Sequence, residues 1–237
     1  DSLGLDIDAD STVTSLSVGH ITPVSIASNK TLSGAITVSA GSVKLNETGT
    51  LASTVSMSGG TLDADKNLTV SGALTHTADI TIDVATNKTL TYSGAAISLG
   101  ANTITLSGGG SLVSGGLTLN NANSKLLLNS MTLDSASTSA NSLGIDVDAN
   151  STVTSLSVGH ITPVSIAAGK SLSGAITVSA GSIKLNETGT LASTIAMSGG
   201  TLDADESSTV SGALTQLADI TIDVATGKTL TYSGAAV

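Results

Sequence analysis

The chain has no cysteine, tryptophan, phenylalanine or arginine, and its only aromatic rings besides histidine are Tyr92 and Tyr232. The lack of cysteine excludes disulfide staples and thiolate metal sites. The lack of large rings argues against an ordinary compact globule, whose core usually contains several. Positive charge is also scarce, and the formal net charge is −10. That balance disfavours binding to nucleic-acid phosphates and docking on anionic lipid. No apolar run approaches the roughly 18 residues of a membrane span. With no initiator methionine and no signal-peptide pattern, the sequence reads as a mature piece of something longer.

What is present is repetition. SLGLDIDADSTVTSLSVGHITPVSIASNKTLSGAITVSAGS begins at Ser2 and returns, nearly unchanged, from Ser142, an offset of 140 residues. The match continues to the end, so Tyr92 returns as Tyr232. Arrays of this kind serve mostly as scaffolds, spacers or fibres.

A shorter period lies inside the long one. An apolar-x-apolar pattern followed by a turn and a Thr or Ser starts at Leu5, Val24, Val43, Leu62, Ile82, Ile104 and Leu126. It starts again at Ile145, Val164, Ile183, Leu202 and Ile222. Successive starts are 19 to 22 residues apart, which predicts about twelve coils. Alternation of apolar and polar residues is strand periodicity with one buried face. Ile7, Ile26, Leu45, Ala64, Val84, Leu106 and Leu128 make a second inward column. Val13, Leu32, Leu51, Val70, Leu90, Leu112 and Leu133 make a third. Ile36 with Val38, Val55 with Met57, and Leu117 with Leu119 complete the interior.

Differences between the copies test this assignment. Ile7 becomes Val147, Val43 becomes Ile183 and Val55 becomes Ile195, all exchanges of aliphatics at inward positions. Lys66 becomes Glu206 and Leu68 becomes Ser208, and both are placed in a solvated turn. The turn column itself holds Asp10, Asn29, Thr48, Asn67, Asn87 and Gly109, then Asn150, Gly169, Thr188, Ser207 and Gly227. The recurring Asn, Asp and Gly predict left-handed backbone there. Gly49 is read as the same turn displaced by one, and Met131 as a turn one residue shorter.

The expected fold is all-β: a parallel β-solenoid, continuous over residues 1–237. Residues 1–140 form the first seven-coil unit, and 141–237 begin a second. Parallel edges at either end carry no cap and would be sticky. The native protein is therefore expected either to continue in both directions or to assemble end to end.

At KTLSGAITVSAGS, from Lys30, the pattern resembles the 19-residue coils of filamentous-haemagglutinin-like and autotransporter-type adhesins. The likeness extends over the whole chain. It implies a right-handed β-helix on an exported bacterial surface protein. The near-identical 140-residue unit looks more like a large repetitive surface fibre than many such adhesins do.

The candidate chemistry is sparse. Asp6, Asp8 and Asp10, repeated as Asp146, Asp148 and Asn150, form a DxDxD run. It lacks the Gly and Glu of an EF-hand loop, since Ser11 and Ser17 stand at those positions. The run reads as a strand with outward, solvated carboxylates, with an inter-coil calcium site as the alternative. Lys44, Asp63 and Asp83 share an outward position on successive coils, as do Lys184, Asp203 and Asp223; this reads as register-setting. Asn29, Asn46, Asn67, Asn87, Asn150 and Asn186 sit in Asn-x-Ser/Thr sequons, which turn chemistry alone would generate. Thr12, Thr31, Thr50, Thr69, Thr89, Ser111 and Thr132 form a hydroxyl column resembling those of ice-binding solenoids. Thr is also simply a good outward strand residue. His20 and His160 fall at a corner, and His76 falls inward.

No histidine pair, nucleophile elbow or phosphate-binding loop is present, and no enzyme is expected. No cofactor is expected beyond calcium, whose candidate ligands are Asp6, Asp8, Asp10, Asp63, Asp83, Asp146 and Asp148. The expected role is a structural segment of an extracellular or cell-surface fibre or stalk, with further repeats or copies of the same chain as partners. A ligand-binding adhesin and an ice-binding solenoid are the alternatives.

Overall fold

A computed structural model describes residues 4–235. The fold is all-β, with parallel sheets stacked as a β-solenoid of about eleven turns, close to the twelve expected. The chain divides into two compact units, Asp1–Ile97 with Asn102–Gly115, and Ser98–Ala101 with Gly116–Val237.

In the first unit, strands Leu5–Ile7, Thr22–Ile26, Ser42–Leu45, Thr61–Ala64, Ile80–Val84 and Thr103–Ser107 stack in parallel, each on the next. In the second, Lys125–Leu128, Gly144–Val147, Ile161–Ile166, Ser182–Leu185, Thr201–Ala204 and Thr221–Val224 do the same. Each unit also contributes a second set of parallel strands across the coil, such as Thr31–Val38 in the first and Ser171–Val178 in the second. The predicted inward columns are buried away from the ends, including Val24, Val43, Ile82, Leu45, Leu51, Ile36 and Val38. Leucine, isoleucine and valine fill most of this thin interior, with Tyr92 as a buried ring, because such side chains pack well on a pleated surface.

Register departs from the expected columns in steps of two. Val43 stacks on Thr22, and Leu45 stacks on Val24. Ile80 and Ile82 lie beside Ile104 and Leu106, so Ile80 is a core residue that the column reading missed. Leu90 sits beside Leu68, and Tyr92 beside Val70. Leu32 pairs with Ser11, while Val13 faces Gly34. A two-residue slip returns every side chain to the same face of the strand. Hydrophobic alternation therefore predicted the burial of the inward columns, though not of Ile80, while leaving register free.

The slips are accommodated locally. Between Val13 and Leu16 the ladder shifts by one residue, as at a β-bulge. Gly34 lies there with φ 113°, and a Cβ on it would come 1.7 Å from the Val13 carbonyl oxygen. Thr162, equivalent to Thr22, is wholly buried, and its hydroxyl donates to the His160 carbonyl at 3.1 Å.

Leu68 corrects the turn reading. It is buried and begins the strand Leu68–Val70, stacked on Leu90. Its replacement, Ser208, is also buried, and its hydroxyl lies 2.8 Å from the Glu187 carbonyl and 3.0 Å from that of Glu206. The position tolerates serine because those carbonyls satisfy the hydroxyl.

Candidate functional site

The turn column performs two jobs where one was expected. Asn29 and Asn87 have φ of 61° and 59°, and their replacements Gly169 and Gly227 have 71° and 76°. Each closes a tight turn in which the following Lys N–H reaches back three residues, as Lys30 does to the Ala27 carbonyl at 2.9 Å. Gly109 and Ser130 are also left-handed, the latter confirming the shorter turn before buried Met131.

Asp10, Asn67, Asn150 and Ser207 are not left-handed. Their side chains instead accept backbone N–H groups of the next coil: Thr31 at 2.9 Å, Thr89 at 2.8 Å, Ser171 at 3.0 Å and Thr229 at 3.2 Å. All four caps fall at coil steps where the ladder slips by two residues. The slip leaves an N–H without a backbone partner, and the side chain of the preceding turn supplies the acceptor. Gly49 is a third case: a Cβ there would lie 2.4 Å from Ile26 Cγ2 and 2.5 Å from the Ile26 carbonyl oxygen. It is glycine because of close approach, not because of a left-handed turn.

The acidic runs are therefore not continuous outward strands. Asp6 is on the strand Leu5–Ile7, while exposed Asp8 and Asp10 lie in the corner beyond it. In the second copy Asp146 pairs with Lys125, Asp148 is exposed in the corner, and Asn150 caps Ser171. Among the described residues no three His, Asp or Glu side chains converge as a metal-ion set.

The outward Lys–Asp ladder is more extensive than the triplet read from sequence. Lys44 Nζ lies 3.0 Å from Asp63 and 2.8 Å from Asp65, a partner the column reading missed. Lys184 repeats this with Asp203 at 2.8 Å and Asp205 at 3.2 Å. The hydrogen bond to Asp65, aided by Asp63, raises the Lys44 pKa above its ordinary value against partial desolvation. Hydrogen bonds to Asp203 and Asp205 raise that of Lys184. Asp63 is also raised, because burial outweighs the attraction of Lys44. Asp83 stacks beside Asp63 and accepts the Ser107 hydroxyl. Asp223 holds the equivalent place beside Asp203. Glu206, which replaces Lys66, pairs with Lys228 at 2.6 Å.

The hydroxyl column is partly rearranged. Thr31, Thr50 and Thr69 align, but the next neighbour is Thr91, not Thr89. Thr12 adjoins Ser33, not Thr31, with the two hydroxyl oxygens 2.7 Å apart. The sequon asparagines have local structural surroundings too. Asn67 and Asn150 are caps, Asn29 and Asn87 are turns, and the Oδ1 atoms of Asn46 and Asn186 are buried.

His20 and His160 are exposed at the corner. His76 is half-buried, not fully inward, and stacks on Met57 beside an open depression of about 170 Å³ lined mainly by Thr and Ser. Its Nδ1 lies 3.3 Å from the Ala78 carbonyl oxygen and 3.5 Å from Asn102 Nδ2. Among the described residues no helix is long and apolar enough to cross a membrane. Compared with protein families, curated proteins and solved structures, the chain matches none of them.

Proposed function

We propose that this chain is a structural repeat segment of an extracellular fibre or surface-protein stalk, of the exported bacterial kind its coils resemble. Its work is mechanical, without catalysis, and its partners are further coils of the same repeat or other copies of the chain. The observation that carries this reading is where the polar side chains go. Asp10, Asn67, Asn150, Lys44, Lys184 and Tyr92 all direct their polar atoms to an adjacent coil. Groups that a binding protein would present to a ligand here hold one coil to another. Stability in such an array is the sum of coil and interface terms, so length can be set by copy number. The acidic exterior keeps its lateral faces soluble.

Negative-stain electron microscopy of the purified chain, with and without a calcium chelator, tests the reading. Rods or filaments of uniform width that persist in chelator support it. Globular particles overturn it. Saturable glycan binding would move the assignment to an adhesin, and thermal hysteresis would move it to an ice-binding protein.

A further inference from the structure

In each unit the charges carried on strands are gathered on one sheet. In the first unit Asp6, Lys44, Asp63 and Asp83 lie on the stack that runs from Leu5–Ile7 to Thr103–Ser107. The strands across the coil, from Ser11–Val18 to Ser111–Val113, contain no Asp, Glu or Lys among the described residues. In the second unit Lys125, Asp146, Lys184, Asp203 and Asp223 lie on one stack, and Asp134 is the one Asp, Glu or Lys on the described strands opposite. Outward positions on either sheet are open to water, so solvation alone does not require this partition.

The uncharged side also holds rows of short side chains stacked directly, coil on coil. Ser17, Thr37, Ser56 and Thr75 form one row, and all four are exposed. Ala35 and Thr54 flank it on one side. Ser39, Ser58 and Thr77 flank it on the other, their N–H groups donating to the Val18, Val38 and Met57 carbonyls at 3.0, 2.8 and 2.9 Å. In the second unit Thr118, Ser137, Ser157, Thr177, Ala196 and Thr215 form one row across six coils. No side chain in these rows is longer than threonine, so a second sheet can approach them closely.

We propose that this uncharged face is a lateral docking surface for a second copy of the chain, packed sheet against sheet. This rests on the reading of the chain as a fibre segment and says how such segments associate side by side. Electrostatics selects the face. The formal net charge is −10, so two copies repel wherever their charged sheets approach. Packed sheets lie about 10 Å apart. A pair joined through the uncharged faces therefore holds its charged sheets roughly 30 Å apart, well beyond the screening length of about 8 Å at physiological salt. Period selects the partner. The rows recur at every coil, about 4.8 Å apart, and a second copy presents the same spacing over the same number of coils. Area sets the strength. Outward positions i to i+4 span about 13 Å of strand, so each coil offers roughly 60 Å². The four coils of the first row and the six of the second offer roughly 600 Å² per partner, below the roughly 800 Å² of a standard interface. Pairing of this chain is therefore weak and strengthens as repeats are added.

The chain has no cysteine, so a single introduced thiol can be labelled cleanly. Whole chain carrying a spin label on Ser56→Cys is mixed with isotope-enriched chain, and sedimentation velocity follows the unmodified chain across concentration. Concentration-dependent association that strengthens with added salt is expected. Paramagnetic broadening should fall on the rows of Thr37 and Thr177 and spare Asp63 and Asp83. A label on Thr81→Cys, beside Thr61 on the charged sheet, should broaden neither row. Thr37→Lys combined with Thr177→Lys should weaken association at least about tenfold, since like charges then meet at contact. Circular dichroism and melting of that variant should be unchanged, because both sites are exposed. A chain that stays monomeric to its solubility limit would overturn the proposal, as would equal association of the double variant or broadening centred on the charged sheet. Thermal hysteresis that the double variant abolishes, in a chain that does not pair, would assign the face to ice instead. Rods that never pair would refute the docking surface alone; globular particles that pair through these rows would refute the fibre reading alone.

Discussion

The phenol oxygen of Tyr92 accepts a hydrogen bond from the backbone N–H of Leu74, one coil away, at 3.1 Å. Tyr232 repeats the contact with Leu214, also at 3.1 Å. Leu74 lies on the strand Leu74–His76, whose ladder to Thr54–Met57 is made on the other side. A side-chain oxygen thus stands where the next coil supplies no strand acceptor. Tyr92→Phe keeps the ring and leaves a buried N–H unpaired, which costs about 1–3 kcal/mol. Tyr232→Phe should cost less, because Tyr232 is substantially exposed and water can replace the phenol. Urea unfolding of the two single variants checks the order.

Asn67 and Asn87 occupy the same column and should respond oppositely to glycine. Asn87→Gly should be neutral or slightly stabilising, since the residue needs only its left-handed backbone. Asn67→Gly removes the acceptor for Thr89 N–H and should lose about 0.5–1.5 kcal/mol. Thermal melting of the pair is the measurement; equal shifts would mean the two roles are not distinct.

Leu68→Ala should cost about 2–5 kcal/mol, because it opens a cavity against Leu90. Leu32→Asp and Leu172→Asp should disrupt their coils, since both side chains are buried and an unpaired charge there is far costlier than a cavity. Lys66→Glu should change stability by no more than about 1 kcal/mol, and in the favourable direction, by pairing with Lys88 as Glu206 pairs with Lys228. Chemical denaturation ranks these variants, and similar effects at Lys66 and Leu68 would contradict the in/out assignment.

The ion ladder predicts a pH dependence of defined sign. Asp63 titrates above its ordinary 3.8 in the folded chain, so its contribution is fully present below that value and is lost as pH rises through the raised pKa. Asp63→Asn should remove this fall in stability, which sets in as pH rises above the ordinary carboxylate value of 3.8. Lys44 is raised above 10.5, so its contribution holds through neutral pH and is lost as pH rises through the raised pKa. Lys44→Met should flatten that alkaline limb. Unfolding free energies across both ranges are the readout.

Much of this architecture is written in the residues themselves. The 140-residue repeat, the coil length and the two-residue alternation determine a solenoid and say which side chains point inward, because burial depends only on strand face. Left-handed turns at Asn29 and Asn87 were legible from their exchange for glycine. Tertiary structure alone decided the register. A slip of two residues leaves every face unchanged, so no hydrophobic pattern can detect it, and the stacking of whole coils selects among the options. The caps at Asp10 and Asn67, the partner of Tyr92, the stacking of Leu68 on Leu90 and the second arm of each lysine bridge all follow from that choice. Each joins groups about 18 to 22 residues apart in sequence that only the stacking of coils brings together.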